Sequence, residues 1–340
     1  MKYVRFLLFP FSAIYYVITS IRNFLFDVQV FKSTSFKIPV IIVGNLSVGG
    51  TGKTPQIEYL IRNLKSNFKL GVLSRGYGRK TKGFILLNDT HSAGKVGDEP
   101  LQYFKKFSNI SVAVDENRVA GIQQLLALKS SEVILLDDAY QHRKVKGSFY
   151  ILLTKYNDLF VDDFLLPTGN LRESRSGAKR SDVIVVTKCP DNLDVLQQNI
   201  IKNKLEAFKK DVFFTRISYA DTTSGKDKLS ISELKKHKVL LVTGIANPLP
   251  LLDFLMLNEI SFEHLKFSDH HNFTKAEIDS IQYNFDQIKS TNKIILTTEK
   301  DYVRLFDKIK NLSFLAIETK FLNGSNDEFN AKIMNRIYPK

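Results

Sequence analysis

Residues 41–55 read IIVGNLSVGGTGKTP, and this stretch constrains the fold more than any other part of the chain. The apolar run from Val40 to Val43 has strand character. A glycine-rich turn follows, and Gly52-Lys53-Thr54 opens a helix that Ile57, Leu60 and Ile61 anchor. Strand, glycine loop, Gly-Lys-Thr and helix, in that order, is the context a phosphate-binding loop requires. Its glycines let successive backbone N–H groups face an anion, and the helix N-terminus adds partial positive charge at the same point. The expected cradle for a nucleoside triphosphate is Ser47, Val48, Gly49, Gly50, Thr51, Gly52, Lys53 and Thr54. Lys53 is placed for the β- and γ-phosphates and the Thr54 hydroxyl for Mg²⁺. Ser47 stands where the usual spacing has its first glycine, so Gly49, Gly50 and Gly52 are expected to supply the flexibility. A glycine-rich turn without a ligand is the competing reading, and the Gly-Lys-Thr with correct flanks argues against it.

The second half of such a site is a strand that delivers an acid beside the loop. Residues 132–143 read EVILLDDAYQHR, an apolar run ending in Asp137 and Asp138, which is the Walker B arrangement. Other strand ends carry polar residues that in an open α/β sheet face the ligand. After Leu70–Leu73 comes SRGYGR, with Arg75 and Arg79 as candidates for phosphate contact or as members of a solvated turn. Gly97-Asp98-Glu99-Pro100 places Asp98 near a helix start, as a capping carboxylate or a catalytic base, and spacing alone favours the cap. Leu165–Glu173 offers Arg172 as a transition-state arginine and Glu173 as a metal neighbour, against a plain surface ion pair. The strand ending in Thr187-Lys188-Cys189-Pro190-Asp191 falls where a GTPase carries Asn-Lys-x-Asp, but the aspartate is one residue late and the asparagine is missing. This argues against a GTPase switch.

Length and charge narrow the partners. The 340 residues suffice for two domains. A net charge of +14 suits a polyanionic partner. No RNA- or DNA-binding motif accompanies it, so nucleic acid is not expected, and no feature requires an obligatory protein partner. The single cysteine, Cys189, excludes an internal disulfide framework and reads as a buried thiol.

Phe6 to Ile21 is almost continuously apolar, contains Pro10 and stops at Arg22, short of the ~20 residues that span a bilayer. Ser12, Thr19, Asn23 and Asp27 fall on one helical stripe. The reading adopted is a helix lying in a membrane interface; a short span, a core-packed helix and a signal peptide led by Lys2 and Arg5 are the competitors. Further along, strands are expected near 239–243, 264–267, 293–297 and 313–317, with helices between them. Residues 220–230 are polar and mark a boundary with a hinge. Phe267–Phe273 places His270 and His271 beside Asp269, too few ligands for a metal and better suited to orienting a carboxylate.

Together GNLSVGGTGKTP, SRGYGR, GDEP, DDAYQHR, LPTGNLRE, FSDHHNF and TTEKD, in this order, resemble the tetraacyldisaccharide 4′-kinase family, the lipid A 4′-kinases of Gram-negative bacteria. The resemblance implies an α/β fold: a P-loop NTPase-type three-layer domain over 36–215, a smaller α/β domain over 216–340, and a membrane-associated helix within 1–35. It also implies transfer of phosphate from ATP, with Mg²⁺, to the 4′-hydroxyl of a tetraacylated glucosamine disaccharide 1-phosphate. The enzyme would be peripheral or monotopic on the cytoplasmic face of the inner membrane. By the same resemblance Asp98 becomes the general base and His270 its partner. Asp137, Asp138 and Glu173 fall at the metal with Thr54, Lys53 and Arg172 at the transferred phosphoryl group, and Arg75 and Tyr77 toward the substrate. A guanine-nucleotide switch and a kinase or ligase for a soluble metabolite are the alternatives.

Overall fold

The computed structural model describes residues 5–338. Residues 1–4 of the expected N-terminal segment, Lys2 among them, lie outside that range. The first helix, α1 (Phe9–Asp27), is followed by β1 (Val40–Asn45), α2 (Lys53–Leu64), β2 (Leu70–Ser74), β3 (Ile85–Leu86), α3 (Ala93–Val96), α4 (Asp98–Lys106), β4 (Ile110–Val114), α5 (Arg118–Leu128), β5 (Val133–Asp137), β6 (Phe149–Lys155), β7 (Val183–Thr187), α6 (Val195–Leu205) and β8 (Asp211–Tyr219). The second half contains β9 (Ser224–Gly225), α7 (Ile231–Leu234), β10 (Lys238–Thr243), α8 (Leu249–Leu257), β11 (Phe262–Lys266), α9 (Lys275–Gln287), β12 (Lys293–Thr298), α10 (Glu299–Leu305), β13 (Leu312–Leu315), β14 (Ile317–Phe321) and α11 (Asn326–Ile337).

Nine strands form a large sheet in the order β14-β8-β7-β6-β1-β5-β2-β4-β3. The strands from β8 to β4 run parallel, and β14 and β3 pair antiparallel at the two edges. Parallel strands are covered on both faces and read as unbroken apolar runs, and all residues of β1, β2, β5 and β7 are buried. Ile57, Leu60 and Ile61 of α2 pack on one face with Leu101 of α4 and Phe329 of α11. Ile122 and Leu125 of α5 cover the other, so the unit has three layers. A second sheet, β11-β10-β12-β13-β9, is covered by α8 on one face and α9 on the other. The three-layer domain and the smaller α/β domain are both present.

The division at 215/216 is not where the two units separate. Residues near 313–317, read from the sequence as one strand, are two: β13 pairs with β12 in the small sheet, and β14 pairs with β8 in the large one. Beyond it, Phe329, Ile333 and Ile337 of α11 fill the large unit's core. The small unit is therefore an insertion between β8 and β14, because the apolar face of α11 has its matching surface on α2 and β8.

The two units meet along α4 and α10. Lys106, at the end of α4, sits 2.6 Å from Glu58 of α2 and 2.8 Å from Glu299 at the start of α10. At the other end Arg304 reaches Asp98. Helix α1 lies on the loop that precedes β7. Ser12 Oγ donates to Thr168 Oγ1 at 2.7 Å, the Tyr15 hydroxyl to Arg172 O at 2.8 Å, and Asn23 Nδ2 to Glu173 Oε2 at 2.9 Å. The polar stripe of this helix thus faces the protein, and Phe11, Ile14, Ile18, Ile21 and Phe24 face outward. Among the described residues no helix is long and apolar enough to cross a membrane.

Candidate active site

Helix α2 begins at Lys53 because Gly52, at φ 86°, turns the chain into it, and Gly49 makes the other left-handed step at φ 97°. Ser47 is not among the positive-φ positions, so a side chain is tolerated at the place where glycine is customary. Three contacts fix the loop. Asn45 Nδ2 donates to Ser47 O at 2.6 Å, the Val48 N–H to Asn170 O at 2.8 Å, and the Thr187 hydroxyl to Thr51 O at 2.8 Å. Asn45 and Thr187 end adjacent regions of the sheet beside the topological switch at β1, where α/β ligands bind.

Asp138 adopts φ 47°, a left-handed conformation that aspartate takes more readily than most non-glycine residues. Its Oδ1 lies 3.5 Å from Lys53 Nζ and 3.0 Å from Arg172 Nη1. Burial alone would raise this carboxyl, but Lys53 and Arg172 outweigh it and hold it below the ordinary value. Asp137 behaves oppositely. It is buried, its Oδ2 accepts from Ser74 Oγ and the Tyr103 hydroxyl at 3.3 Å each, and its Oδ1 is buried with no partner. Burial, then the charges of Glu99 and Asp138, push it up to about 7.

A buried carboxylate oxygen lacking a partner beside a phosphate loop fits a cation. Mg²⁺ takes few protein ligands and completes its shell with phosphates and water. Asp137, Asp138 and Thr54 fit the role. Glu173 departs from expectation: it is wholly buried, and its oxygens are held by Arg180 at 2.8 and 2.9 Å, Gln141 at 3.0 Å and Asn23 at 2.9 Å. With both oxygens occupied, it anchors α1 to the Arg172 loop.

Asp98 is the first residue of α4 and makes no capping bond; Gly97, at φ 93°, takes the cap position. A Cβ on Gly97 would meet the backbone of Gly76 at 3.0 Å, so the turns of GDEP and SRGYGR touch through two glycines. The Asp98 carboxylate faces the small unit. His270, itself at φ 57°, places Nδ1 3.0 Å from Asp98 Oδ2, and Arg304 spans both carboxylate oxygens. Burial pushes Asp98 up, yet Arg304, Lys300 and His270 together bring it below the ordinary value. One and a half turns along α4, Tyr103 touches Asp137, which ties the Asp98 helix to the end of β5. The Tyr77 ring packs edge-on to His270 at 5.9 Å and is mostly exposed, as is Arg75. Asp191 pairs with Arg216 at 3.1 Å and is exposed.

Sequence reading did not single out Arg304, Lys300, Tyr103 or Asn45. Arg304 follows the polar strand end TTEKD by one helical turn, on the face of Asp301, and that spacing was the available signal.

Residues 4–338 match the model of the family described as Tetraacyldisaccharide-1-P 4'-kinase. A relative named Tetraacyldisaccharide 4'-kinase from Flavobacterium psychrophilum is 54% identical, covering 99% of this chain and 98% of the other. One of the same name from Bacteroides thetaiotaomicron is 42% identical over 97% and 92%. A crystal structure described as the "apo" form of LpxK from Aquifex aeolicus in complex with ATP superimposes with a TM-score of 0.80 at 30% identity, covering 98% of this chain and 99% of that one. The phosphate loop, the paired acids and the full-length match all agree, and this chain belongs to the tetraacyldisaccharide-1-phosphate 4'-kinase family.

Proposed function

We propose that the residues gathered here carry out the family's reaction: ATP-dependent phosphorylation of the 4′-hydroxyl of a tetraacyl disaccharide 1-phosphate, in lipid A biosynthesis. The observation that supports it best is the placing of Asp138 between Lys53 and Arg172 at the mouth of the phosphate loop, with Asp98 and His270 presented from the facing units.

The N–H groups of Gly49, Gly50, Gly52, Lys53 and Thr54 receive the β- and γ-phosphates, those of Val48 and Thr51 being held by Asn170 O and Gly49 O. Lys53 and Arg172 offset charge on the moving phosphoryl group, and Asp98 accepts the sugar hydroxyl proton with His270 orienting it. Thr54, Asp137 and Asp138 would hold Mg²⁺, which would supply charge neutralisation for the triphosphate. Phosphoryl transfer is mostly positioning and electrostatics, which is what this arrangement of fixed cations offers. Arg75 and Tyr77 line the approach of the disaccharide.

A substrate with four acyl chains stays in the bilayer. The outward apolar face of α1, with the net charge of +14, suits docking on an anionic leaflet at the cytoplasmic face of the inner membrane. A soluble-metabolite kinase has no use for that face. The deciding experiment is transfer of labelled γ-phosphate from ATP to the tetraacyl disaccharide 1-phosphate in detergent micelles, with Lys53→Ala as control; no transfer by the intact enzyme would overturn the assignment.

A further inference from the structure

Arg304 is buried on α10, and its guanidinium is fixed from two sides. Nε donates to Asp98 Oδ1 at 2.9 Å and Nη2 donates to Asp98 Oδ2. Nη1 lies 3.3 Å from Asp301 Oδ1, and the other Asp301 oxygen accepts from the Gly244 N–H and the Thr298 hydroxyl at 2.8 Å each. Two-point contact of a planar guanidinium with a carboxylate sets the plane of both groups. On the far side of the histidine, Lys300 Nζ lies 3.0 Å from His270 Nε2. Arg304 Nη2 also lies 3.0 Å from His270 Nδ1. An ammonium has no lone pair, so Nε2 accepts from Lys300, and in the neutral ring the proton sits on Nδ1, where it meets Asp98 Oδ2 and not the guanidinium.

Counting acceptor positions then distinguishes the two oxygens. Oδ2 receives Nη2 of Arg304 and Nδ1 of His270, whereas Oδ1 receives only Nε of Arg304. A carboxylate oxygen offers about two lone-pair sites. The free one is on Oδ1.

We propose that Arg304, with Lys300, is a positioning residue for the general base, holding the Asp98–His270 pair so that Oδ1 of Asp98 is the atom that takes the acceptor hydroxyl's proton. This rests on Asp98 being the base. In the step, the O–H bond of the 4′-hydroxyl breaks and its proton passes to Oδ1. The freed oxygen bonds the γ-phosphorus as the bond from that phosphorus to the β,γ-bridging oxygen breaks, and ADP leaves. Arg304 makes Asp98 a weaker base but keeps it ionised and aimed. A loose phosphoryl-transfer transition state asks more of aim than of base strength.

The rival role is a structural tie, since Arg304 and the Glu58–Lys106–Glu299 contact both join the two units. The test uses the full-length enzyme in mixed micelles, with labelled ATP and the tetraacyl disaccharide 1-phosphate. Arg304→Gln, Arg304→Lys, Asp98→Asn and Asp98→Asn/Arg304→Gln are compared for kcat, KM and pH profile, with thermal melts to verify folding. Arg304→Gln should lower kcat on the order of 10–100-fold with KM for ATP unchanged. It should also move the acid limb of the profile to higher pH, because Asp98 loses the cation that holds it down. Lys300 and His270 from the small unit still face it. Arg304→Lys should return the limb to its wild-type place but not the full kcat. In the Asp98→Asn background, Arg304→Gln should add little.

Wild-type kcat and pH profile in Arg304→Gln, or an equal loss with and without Asp98, would overturn the proposal. If Arg304→Gln does not fold, Arg304→Lys decides, and full kcat there overturns it. Near-normal turnover in folded Asp98→Asn would instead remove the base assignment itself, whatever happens at Arg304.

Discussion

Arg172 reaches Asp138 at 3.0 Å, beside the lysine of the phosphate loop, so two cations converge on one acid. A triphosphate brings more negative charge to the same place than that acid supplies. Lys53→Ala and Arg172→Ala should each lower kcat on the order of a thousandfold, since both act on charge that develops during transfer. Melting temperatures should stay near wild type, because both side chains are part-exposed. Steady-state kinetics with labelled ATP check this; a loss confined to KM would contradict it.

Asp98→Ala should cut turnover on the order of 10²–10⁴-fold if its carboxylate is the proton acceptor. The measurement is single-turnover transfer with a thermal melt alongside, and a folded variant with near-normal rates would exclude the role.

Glu173 is predicted to matter for stability rather than for metal. Removing one partner of the buried Arg180 contact leaves a charge uncompensated, so Glu173→Ala should cost about 3 kcal/mol. Glu173→Gln should retain the wild-type dependence of rate on Mg²⁺ concentration. A large shift in that dependence would return Glu173 to the metal.

Glu299 gives the fold a pH dependence. Burial, then the charge of Glu58, push its carboxyl up to about 7 although Lys106 opposes them. Between about pH 4.5 and 7 the folded protein therefore keeps a proton that the unfolded chain releases, and stability falls as pH rises through that window. Glu299→Gln cannot ionise, so its unfolding free energy should vary less over the window and exceed wild type at pH 8 by roughly 1–2 kcal/mol, read as a higher melting temperature. Parallel melting curves for the two proteins would refute this.

The outward face of α1 should carry membrane affinity. Replacing Phe11, Ile14 and Ile18 together by serine removes roughly 1–2 kcal/mol of apolar burial per residue, and vesicle partitioning should fall by about a hundredfold or more. Full-length protein is the right vehicle, since deleting the helix would also free the Arg172 loop that Ser12, Tyr15 and Asn23 hold. Unchanged cosedimentation with anionic vesicles would refute the docking face.

The phosphate loop, the paired acids and the strands were legible because their signals are local: a glycine pattern, an apolar run, a terminal carboxylate. Asp98 could not be told from a cap, because the distinction depends on Gly97 adopting φ 93° and on residues about 170 and 200 positions away. Glu173 has the sequence setting of a metal acid, and only the convergence of Arg180, Asn23 and Gln141 shows otherwise. The polar stripe of α1 was visible, but whether it faces water or protein depends on the partner surface. The break at Ala316 was hidden because β13 and β14 form one nearly continuous β-prone run.

That break has a mechanical consequence. The small unit is strung on two strands of backbone, and these run side by side: the Ala220 N–H donates to Ala316 O at 2.9 Å, extending the β8–β14 ladder to the crossing point. A lobe hung on one thread can swivel, whereas one hung on a paired ribbon is confined to rocking across it. Any displacement of the small unit would then carry His270, Lys300 and Arg304 away from Asp98 and back along one arc, as a set.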